Sequence, residues 1–281
     1  MNRSLLCALV LALPACAQGE PQKTPPPDGK DLLAGMLKLF TEQGIVYDDK
    51  AQTVTITCTV NGPPDPIEYL LIHERGKRHE AVLITKSKPS VLNAALLVLG
   101  LQPGKNATYR EKDPPPTQAE FEKGADPVIV VPPQGMNFWM TVKWQDQDGK
   151  AHEHCIEELV LDIAAGKALA TADWVFLGGR MARLYKNDPE VYVADYEGNI
   201  ISTCYMAPDN HLATLRHERA RDEHNWWITD VCPPPGTQLQ LTFWKQKPKL
   251  VQERETALQK EAEAAKQAGG KDEAAKAAEK K

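Results

Sequence analysis

The chain has 281 residues, of which 42% are hydrophobic and 25% are charged, and its formal net charge is −5. These values describe a soluble globular chain with enough apolar residues for a core. The mildly acidic balance argues against nucleic acid as a partner. After the first twenty residues no apolar run is long enough to span a bilayer, since the longest, Val91 to Leu101, contains Asn93.

The first sixteen residues predict an export signal. Arg3 precedes an apolar run from Leu5 to Leu13, and small residues lead to Cys16. Two cleavage sites fit this pattern. Leu13-Pro14-Ala15-Cys16 resembles the lipobox of bacterial lipoproteins and predicts a lipid on Cys16, whereas Ala15-Cys16-Ala17 fits ordinary secretory cleavage. We expect a periplasmic or cell-envelope protein, anchored in a membrane through Cys16 in preference to free secretion.

Composition divides the chain into four parts: the signal (1–16), a Pro-rich spacer (17–30), a body (31–244) and a charged tail (245–281). The spacer fits an extended link between a lipidated cysteine and a domain. The tail is rich in Ala, Lys and Glu, and Gly269-Gly270 interrupts it, which predicts a solvated segment that is partly helical or disordered. The alternative is a contact between this tail and an envelope protein or polymer.

Alternation of apolar and polar residues in the body predicts antiparallel strands with one buried face. Val54, Ile56, Cys58 and Val60 share one side of such a strand, and threonines occupy the other. The residues over 67–84 predict a hairpin, because Gly76 can supply the positive φ of a two-residue turn.

This hairpin supplies the acid/base candidates. Its predicted register places Glu74 opposite His79 and His73 opposite Glu80. A carboxylate that faces an imidazole favours the charged form of the ring, as acid/base chemistry uses. The alternative is structural, namely two cross-strand salt bridges near a hairpin tip with no nucleophile nearby in the sequence.

One helix, over about 88–99, is predicted to be buried. Apolar residues cover nearly every face of it, Ser87 can act as its N-cap, Pro89 lies in its first turn and Gly100 follows its end. Such a helix packs against a sheet.

A second hairpin raises a metal hypothesis. It has strands over 138–145 and 151–156, joined at an Asp-Gly dipeptide that is typical of a type I′ turn. The predicted register puts His152 and His154 on the solvent-facing side of the hairpin, whereas Trp144 and Cys155 lie on the buried side. A zinc site needs three or more ligands that converge from one side, and Cys155 points away from the two histidines. His152 and His154 are therefore weak metal candidates.

The rest of the body predicts three further elements. They are a third hairpin over 191–205, a short helix over about 210–224 and a closing strand from Gln238 to Trp244. The predicted fold class is therefore α+β, made of mostly antiparallel β hairpins packed with one buried helix.

Several runs of hydrophobic and turn residues share a family pattern. They are Glu68-Tyr69-Leu70-Leu71, His79-Glu80-Ala81-Val82-Leu83, Pro89, Asn93-Ala94-Ala95-Leu96-Leu97, Gly100, Pro103-Gly104, Asp173-Trp174-Val175-Phe176, Gly178-Gly179, Tyr192-Val193-Ala194-Asp195 and Gly198-Asn199. These runs resemble the YdjY-type domain of bacterial envelope proteins over about residues 50–235. The resemblance implies export, a β-rich domain of unassigned activity and a redox-linked role that the cysteines have to support.

The four cysteines of the body, Cys58, Cys155, Cys204 and Cys232, give that role little support. No C-x-x-C occurs, and the spacing fits neither iron–sulfur nor zinc-ribbon sites. Four cysteines in an oxidising compartment allow three connectivities. We favour a disulfide between Cys204, which ends a predicted strand, and Cys232, which precedes three prolines. Cys58 and Cys155 face inward and fit free core residues equally well.

Nucleophile-elbow, phosphate-loop, dinucleotide-binding and H-E-x-x-H signatures are absent from the sequence. We therefore predict an exported, lipid-anchored binding or structural module of the envelope, with no cofactor. One alternative is a metal-dependent or acid/base enzyme that uses His73, Glu74, His79 and Glu80. A redox-linked partner protein is the other alternative.

Overall fold

The computed structural model describes residues 29–62, 66–170 and 172–278, with side chains up to residue 266. The predicted signal, Cys16 and most of the spacer lie outside these residues. The helices are α1 (Gly29–Glu42), α2 (Pro89–Val98), α3 (Gln118–Phe121), α4 (Val193–Glu197) and α5 (Lys249–Ala278). The strands are β1 (Ile45–Asp48), β2 (Thr53–Val60), β3 (Tyr69–His73), β4 (Ala81–Thr85), β5 (Thr108–Glu111), β6 (Val128–Val131), β7 (Asn137–Gln145), β8 (Ala151–Cys155), β9 (Val160–Asp162), β10 (Lys167–Ala168), β11 (Asp173–Phe176), β12 (Met181–Ala182), β13 (Val191–Tyr192), β14 (Asn199–Ser202), β15 (Ala213–Arg216), β16 (Trp226–Ile228) and β17 (Gln238–Trp244).

Eight strands close into a barrel in the order β2-β17-β7-β11-β15-β14-β3-β4, and β4 pairs with β2 to complete the ring. Outside the ring, β1 pairs with residues 53–56 of β2, and β8 pairs with residues 141–145 of β7. The pairs β3–β4 and β14–β15 are parallel, and the other pairs of the ring are antiparallel. The structure is therefore α+β and mostly antiparallel, as predicted, but the closed barrel was not predicted.

Alternation along β2 builds one wall of the core. Val54, Ile56 and Cys58 are at most 1% exposed, whereas Thr57 between them is exposed. β17 pairs with β2 on one side and β7 on the other, so that Leu241 meets Ile56 and Val142. Each fully buried aliphatic side chain of this kind contributes roughly 1.5–3 kcal/mol through removal from water. The strand predicted over 238–244 is confirmed.

The buried helix predicted over 88–99 is confirmed as α2, although its N-terminus is capped differently. Lys88 is the N-cap residue and makes no side-chain cap. A carboxylate from α4 takes that role instead, because Asp195 Oδ1 accepts a hydrogen bond from the amide of Ser90 at 2.8 Å. Gly100, with a φ of 93°, ends the helix as expected.

The first predicted hairpin is wrong, because β3 and β4 run parallel, with His73 beside Thr85. Both strands are buried along their whole length, a pattern that belongs to parallel strands rather than to alternating hairpin strands. Gly76 does not form the expected turn. It lies against the backbone of Gly198, and a Cβ on Gly76 would stand 2.7 Å from the Gly198 carbonyl oxygen.

The second hairpin exists, but its register differs by one residue. Trp144 faces His152 and Val142 faces His154. Five residues, 146–150, separate the two strands, and the Asp146 amide donates to the carbonyl oxygen of Lys150 at 3.0 Å. A one-residue shift moves side chains to the opposite face of a strand.

The third hairpin and the helix over 210–224 are also wrong. The chain after β13 forms α4, and Gly198, with a φ of 78°, ends this helix instead of forming a hairpin turn. Residues 213–216 form β15, which lies between β11 and β14 in the barrel. Only Glu223–Asn225 at the end of the predicted segment are helical, as a single 3-10 turn.

The tail begins with docked residues. Val251 of α5 is 6% exposed, and the Arg254 guanidinium donates to the carbonyl oxygens of Leu169 and Ala170 at 2.6 and 2.5 Å. Lys247, just before the helix, pairs with Glu255 at 2.8 Å. These contacts fix the first turns of α5 on the barrel. None of the helices within the described residues is both long and apolar enough to cross a bilayer.

Candidate functional site

A polar cleft of about 470 Å³ lies on the outside of the barrel where β2 meets β4. The cleft is lined by Gln43, Gly44, Thr57, Thr59, Val60, Asn61, Glu74, Arg78, Ile84, Thr85, Lys86, Ser87, Pro235, Gly236 and Gln238. Seven of these residues carry amide or hydroxyl side chains and three are charged, and the lining comes from five separate segments of the chain.

Buried hydroxyl groups make the wall of this cleft rigid. Thr85, which is 2% exposed, donates from Oγ1 to the carbonyl oxygen of Thr57 at 2.9 Å and accepts from the amide of Ser87 at 3.2 Å. The Ser87 hydroxyl in turn donates to the carbonyl oxygen of Gln43 at 2.9 Å. These bonds tie β4, β2 and the end of α1 together.

Three charged residues line the cleft: Glu74, Arg78 and Lys86. None of them forms an ion pair with another residue in the described part of the chain. Asn61 holds the turn that carries Arg78, because its amide donates to the carbonyl oxygens of Arg78 and Ala81 at 2.5 and 2.8 Å. The cleft thus offers two cations, one carboxylate and a set of neutral hydrogen-bonding groups.

A second depression of about 300 Å³, called here the acidic pocket, lies on the other side of the same turn. The acidic pocket is lined by Pro66, Glu68, His79, Glu80, Glu223 and His224. Lys77 lies beside it, with Nζ at 3.6 Å from Glu68 and 3.4 Å from Glu80.

Two carboxyl groups in the acidic pocket perturb each other. Burial, followed by the neighbouring Glu80, raises the pKa of Glu68. Burial also acts on Glu80, but Glu68 and the Lys77 ammonium outweigh it and hold the pKa of Glu80 below its usual value. Of the two carboxyl groups, Glu68 therefore takes up a proton at a higher pH than Glu80 does.

The rim of the acidic pocket carries a group of metal-ligand types. One donor atom from each of Asp222, Glu223 and His224 lies within 4.8 Å of the others. His224 Nδ1 is 3.0 Å from Asp222 Oδ1 and 3.7 Å from Glu223 Oε1. The His224 side chain is 73% exposed, so the three groups are open to solvent.

The parallel pairing of β3 and β4 separates the four acid/base candidates. His73 is 7% exposed, its Nδ1 accepts from the amide of Arg75 at 3.3 Å, and burial followed by the Arg75 charge lowers its pKa. Glu74 lines the polar cleft, whereas His79 and Glu80 line the acidic pocket and bind each other at 3.0 Å. Neither predicted cross-strand pair is formed.

The register of the second hairpin moves His152 and His154 to the side of Trp144, opposite to the prediction. Both rings stack on the Trp144 indole, at centroid distances of 5.2 and 5.1 Å. His152 also binds Asp146 at 2.8 Å, and His154 binds Glu158 at 3.2 Å. The two histidines therefore fill a packed aromatic cluster with partners of their own.

The favoured disulfide is not formed, because Cys204 and Cys232 are both free. Cys204 is 2% exposed and contacts the Thr203 hydroxyl at 3.7 Å, whereas Cys232 lies in a turn after β16 that closes on the carbonyl oxygen of Thr229. Burial raises the pKa of Cys232 to about 11. Cys58 and Cys155 are also free and buried.

Sequence reasoning missed the polar cleft, and it attached no role to Arg78, Lys86 or Asn61. These residues stand in a turn or at strand ends and follow no motif, so only the closure of the barrel brings them together. His211 is fully buried, and no sequence pattern indicated this burial, because its neighbours in the sequence are polar and apolar in no regular order.

The comparisons with known proteins agree with the architecture described above. The family model of the YdjY domain matches residues 45–244, which begin at β1 and end with β17. The chain belongs to the YdjY domain family. This match confirms the resemblance inferred from the sequence, and the YdjY domain thus coincides with the barrel and its insertions. Searches of curated proteins and of solved structures found no significant match.

Proposed function

We propose that this protein is an exported binding module of the bacterial cell envelope, held at a membrane by a lipid on Cys16, whose YdjY domain binds its ligand in the polar cleft. The observation that carries the binding role is the cleft itself. Its volume of about 470 Å³ lies in the range of small-molecule sites, and its walls are fixed by buried hydrogen bonds.

The lining of the cleft defines the chemistry of the ligand. Arg78 and Lys86 favour an anionic group such as a carboxylate, and Glu74 favours an amine on the same ligand. The Gln238 amide and the hydroxyls of Thr57 and Thr59 suit a ligand rich in amide and hydroxyl groups. A peptide-bearing fragment of an envelope polymer has this chemistry.

Binding of muramyl tripeptide to the full chain, measured by calorimetry, tests the cleft. Replacing both cations, Arg78→Gln with Lys86→Gln, removes the partners of the carboxylates and is expected to weaken binding about tenfold or more. The matched control replaces two exposed lysines outside the cleft, Lys50→Gln with Lys123→Gln, and is expected to leave affinity unchanged. Equal affinities for both double variants would contradict the assignment.

The position in the envelope rests on the sequence before α1. A lipobox-like run ends at Cys16, and a Pro-rich spacer joins it to the domain. The charged tail extends from the barrel as α5 and supplies a second surface for an envelope protein or polymer. Its outer part carries mixed charges that suit such a contact.

Binding of a divalent cation at the acidic pocket is a second candidate function. The observation in its favour is the approach of Asp222, Glu223 and His224, with His79 and Glu80 on the same pocket. Titration with Zn²⁺ tests it: His224→Ala should weaken binding about tenfold, because it removes an imidazole ligand. His152→Ala, in the aromatic cluster, is the control, and equal binding by the two variants would refute the site.

The redox-linked alternative gains no support from the described cysteines. Burial raises the pKa of Cys155 to about 12, and it also raises that of Cys58 and Cys204. A reactive thiol needs the opposite shift together with exposure. The acid/base alternative loses its two cross-strand pairs, because β3 and β4 run parallel.

A further inference from the structure

Helix α1 carries more apolar surface than the barrel covers. Phe40 on its inner side is buried in the core, but Leu32, Leu33 and Leu39 are 57%, 43% and 43% exposed. Leu32 and Leu39 lie about two turns apart and so share one side of the helix. Two lysines and two acidic residues in α1 balance each other in charge.

The exposed part of α1 is the end nearest to the predicted lipid. Residues 29–35 are exposed throughout, so the first two turns stand away from the core. Twelve residues, 17–28, separate Cys16 from this end. A segment of that length reaches about 45 Å at most, and a tether this short keeps the helix at a high effective concentration near a bilayer.

We infer that α1 lies along the surface of the membrane that holds Cys16, with Leu32 and Leu39 in the headgroup region. The inference rests on the proposed lipid anchor and adds a second contact to it. A surface helix of this kind buries its apolar side about 5–10 Å deep. Because the charges of α1 cancel, the contact is apolar and persists at high salt.

The contact orients the polar cleft. α1 ends at Glu42, and the next two residues, Gln43 and Gly44, form one wall of the cleft. A helix that lies on the bilayer therefore holds this wall beside the membrane surface. The ligand is then bound at the surface rather than at the full reach of the spacer.

Cysteine labelling of the full lipidated chain tests this arrangement in vesicles of phosphatidylethanolamine and phosphatidylglycerol. Leu32→Cys reports on α1, and Phe121→Cys on α3 is the control, since Phe121 is 54% exposed and Leu32 is 57% exposed. A membrane-impermeant maleimide is expected to react about tenfold more slowly at position 32 than at position 121. In urea without lipid the two positions should react equally.

The outcomes separate the inference from the proposed anchor. Equal labelling of positions 32 and 121 in protein that floats with the vesicles overturns the α1 contact and leaves the lipid anchor intact. Failure of the natural chain to float overturns both. Disulfide-linked dimers of the Leu32→Cys variant on mild oxidation would show that a second copy covers α1, which also overturns the inference.

Discussion

His211 is a fully buried histidine, and neither of its ring nitrogens has a hydrogen-bond partner among the described residues. Burial lowers its pKa from 6.5 to about 4, against a smaller opposing effect of Asp209. The unfolded chain therefore takes up a proton near pH 6.5, whereas the folded chain does so only near pH 4. Stability conferred by the neutral ring is complete above pH 6.5 and is lost as the pH falls towards 4.

We expect His211 to reduce the free energy of unfolding by about 3 kcal/mol between pH 7 and pH 4. His211→Leu removes the titrating group without leaving a buried polar atom unpaired, so the loss of stability on acidification should shrink by most of that amount. Urea unfolding at pH 7, 5.5 and 4 measures it. A His211→Leu protein that retains the natural pH dependence would refute the prediction.

For individual residues, sequence patterns predicted which side chains are buried but not which distant residues are in contact. Alternation predicted correctly that Val54, Ile56 and Cys58 face the core. No pattern predicted that Asp195, a distant carboxylate, caps α2, because the contact joins segments about a hundred positions apart. The same limit explains why the predicted disulfide is wrong. The local sequence suggested a bond between Cys204 and Cys232, but in the fold Cys204 lies in the core and Cys232 lies in a turn, and both are free.

The connection between β3 and β4 depends on a contact between two glycines. The Gly76 and Gly198 backbones approach so closely that a Cβ on Gly76 would lie 2.7 Å from Gly198 O and 3.0 Å from Ile72 Cβ. Because the Gly198 backbone and the buried Ile72 side chain can shift only at a large cost in free energy, we expect Gly76→Ala to destabilise the protein by about 2 kcal/mol or more. Thermal or urea unfolding measures this loss.

Gly35→Ala is the matched control for that substitution. Gly35 lies inside α1 with open space where its Cβ would be. Alanine there should stabilise the protein by about 0.5–1 kcal/mol through helix propensity. If both variants lose stability equally, the contact between Gly76 and Gly198 does not explain the need for glycine.

Elements with a clear period were predictable, and elements without one were not. β2, β17 and α2 appear where the sequence places them, since alternation or an all-round apolar helix identifies each. β3 and β4 are continuous apolar runs, and a turn-forming glycine between them suggested a hairpin although the strands run parallel. In the β7–β8 hairpin a five-residue loop instead of a two-residue turn changed the face of every side chain on β8.

The molecule as a whole joins a barrel to a predicted membrane anchor, and substitution of the anchor residue tests that organisation. Cys16→Ser should abolish incorporation of radiolabelled palmitate into the chain, because the thiol of Cys16 is the proposed lipid acceptor. Cys7→Ser, within the predicted signal, should leave labelling unchanged. Absence of label from the natural chain would contradict lipidation and leave ordinary secretory cleavage as the explanation of the leader.

Closure of the barrel was beyond sequence reasoning because it depends on pairing between distant segments. β2 pairs with β17, nearly two hundred positions later, and β4 returns to β2. Local patterns carry no information on such pairings. The polar cleft could not be predicted for the same reason, since its five segments come together only where β2 pairs with β4.

The position of β17 has a consequence for how the chain acquires its shape. This strand lies between β2 and β7, so the ring stays open between these two strands until residues 238–244 are in place. The other seven strands of the ring all lie within residues 53–216 and can pair with one another without β17. Closure of the barrel therefore waits for the last strand of the domain.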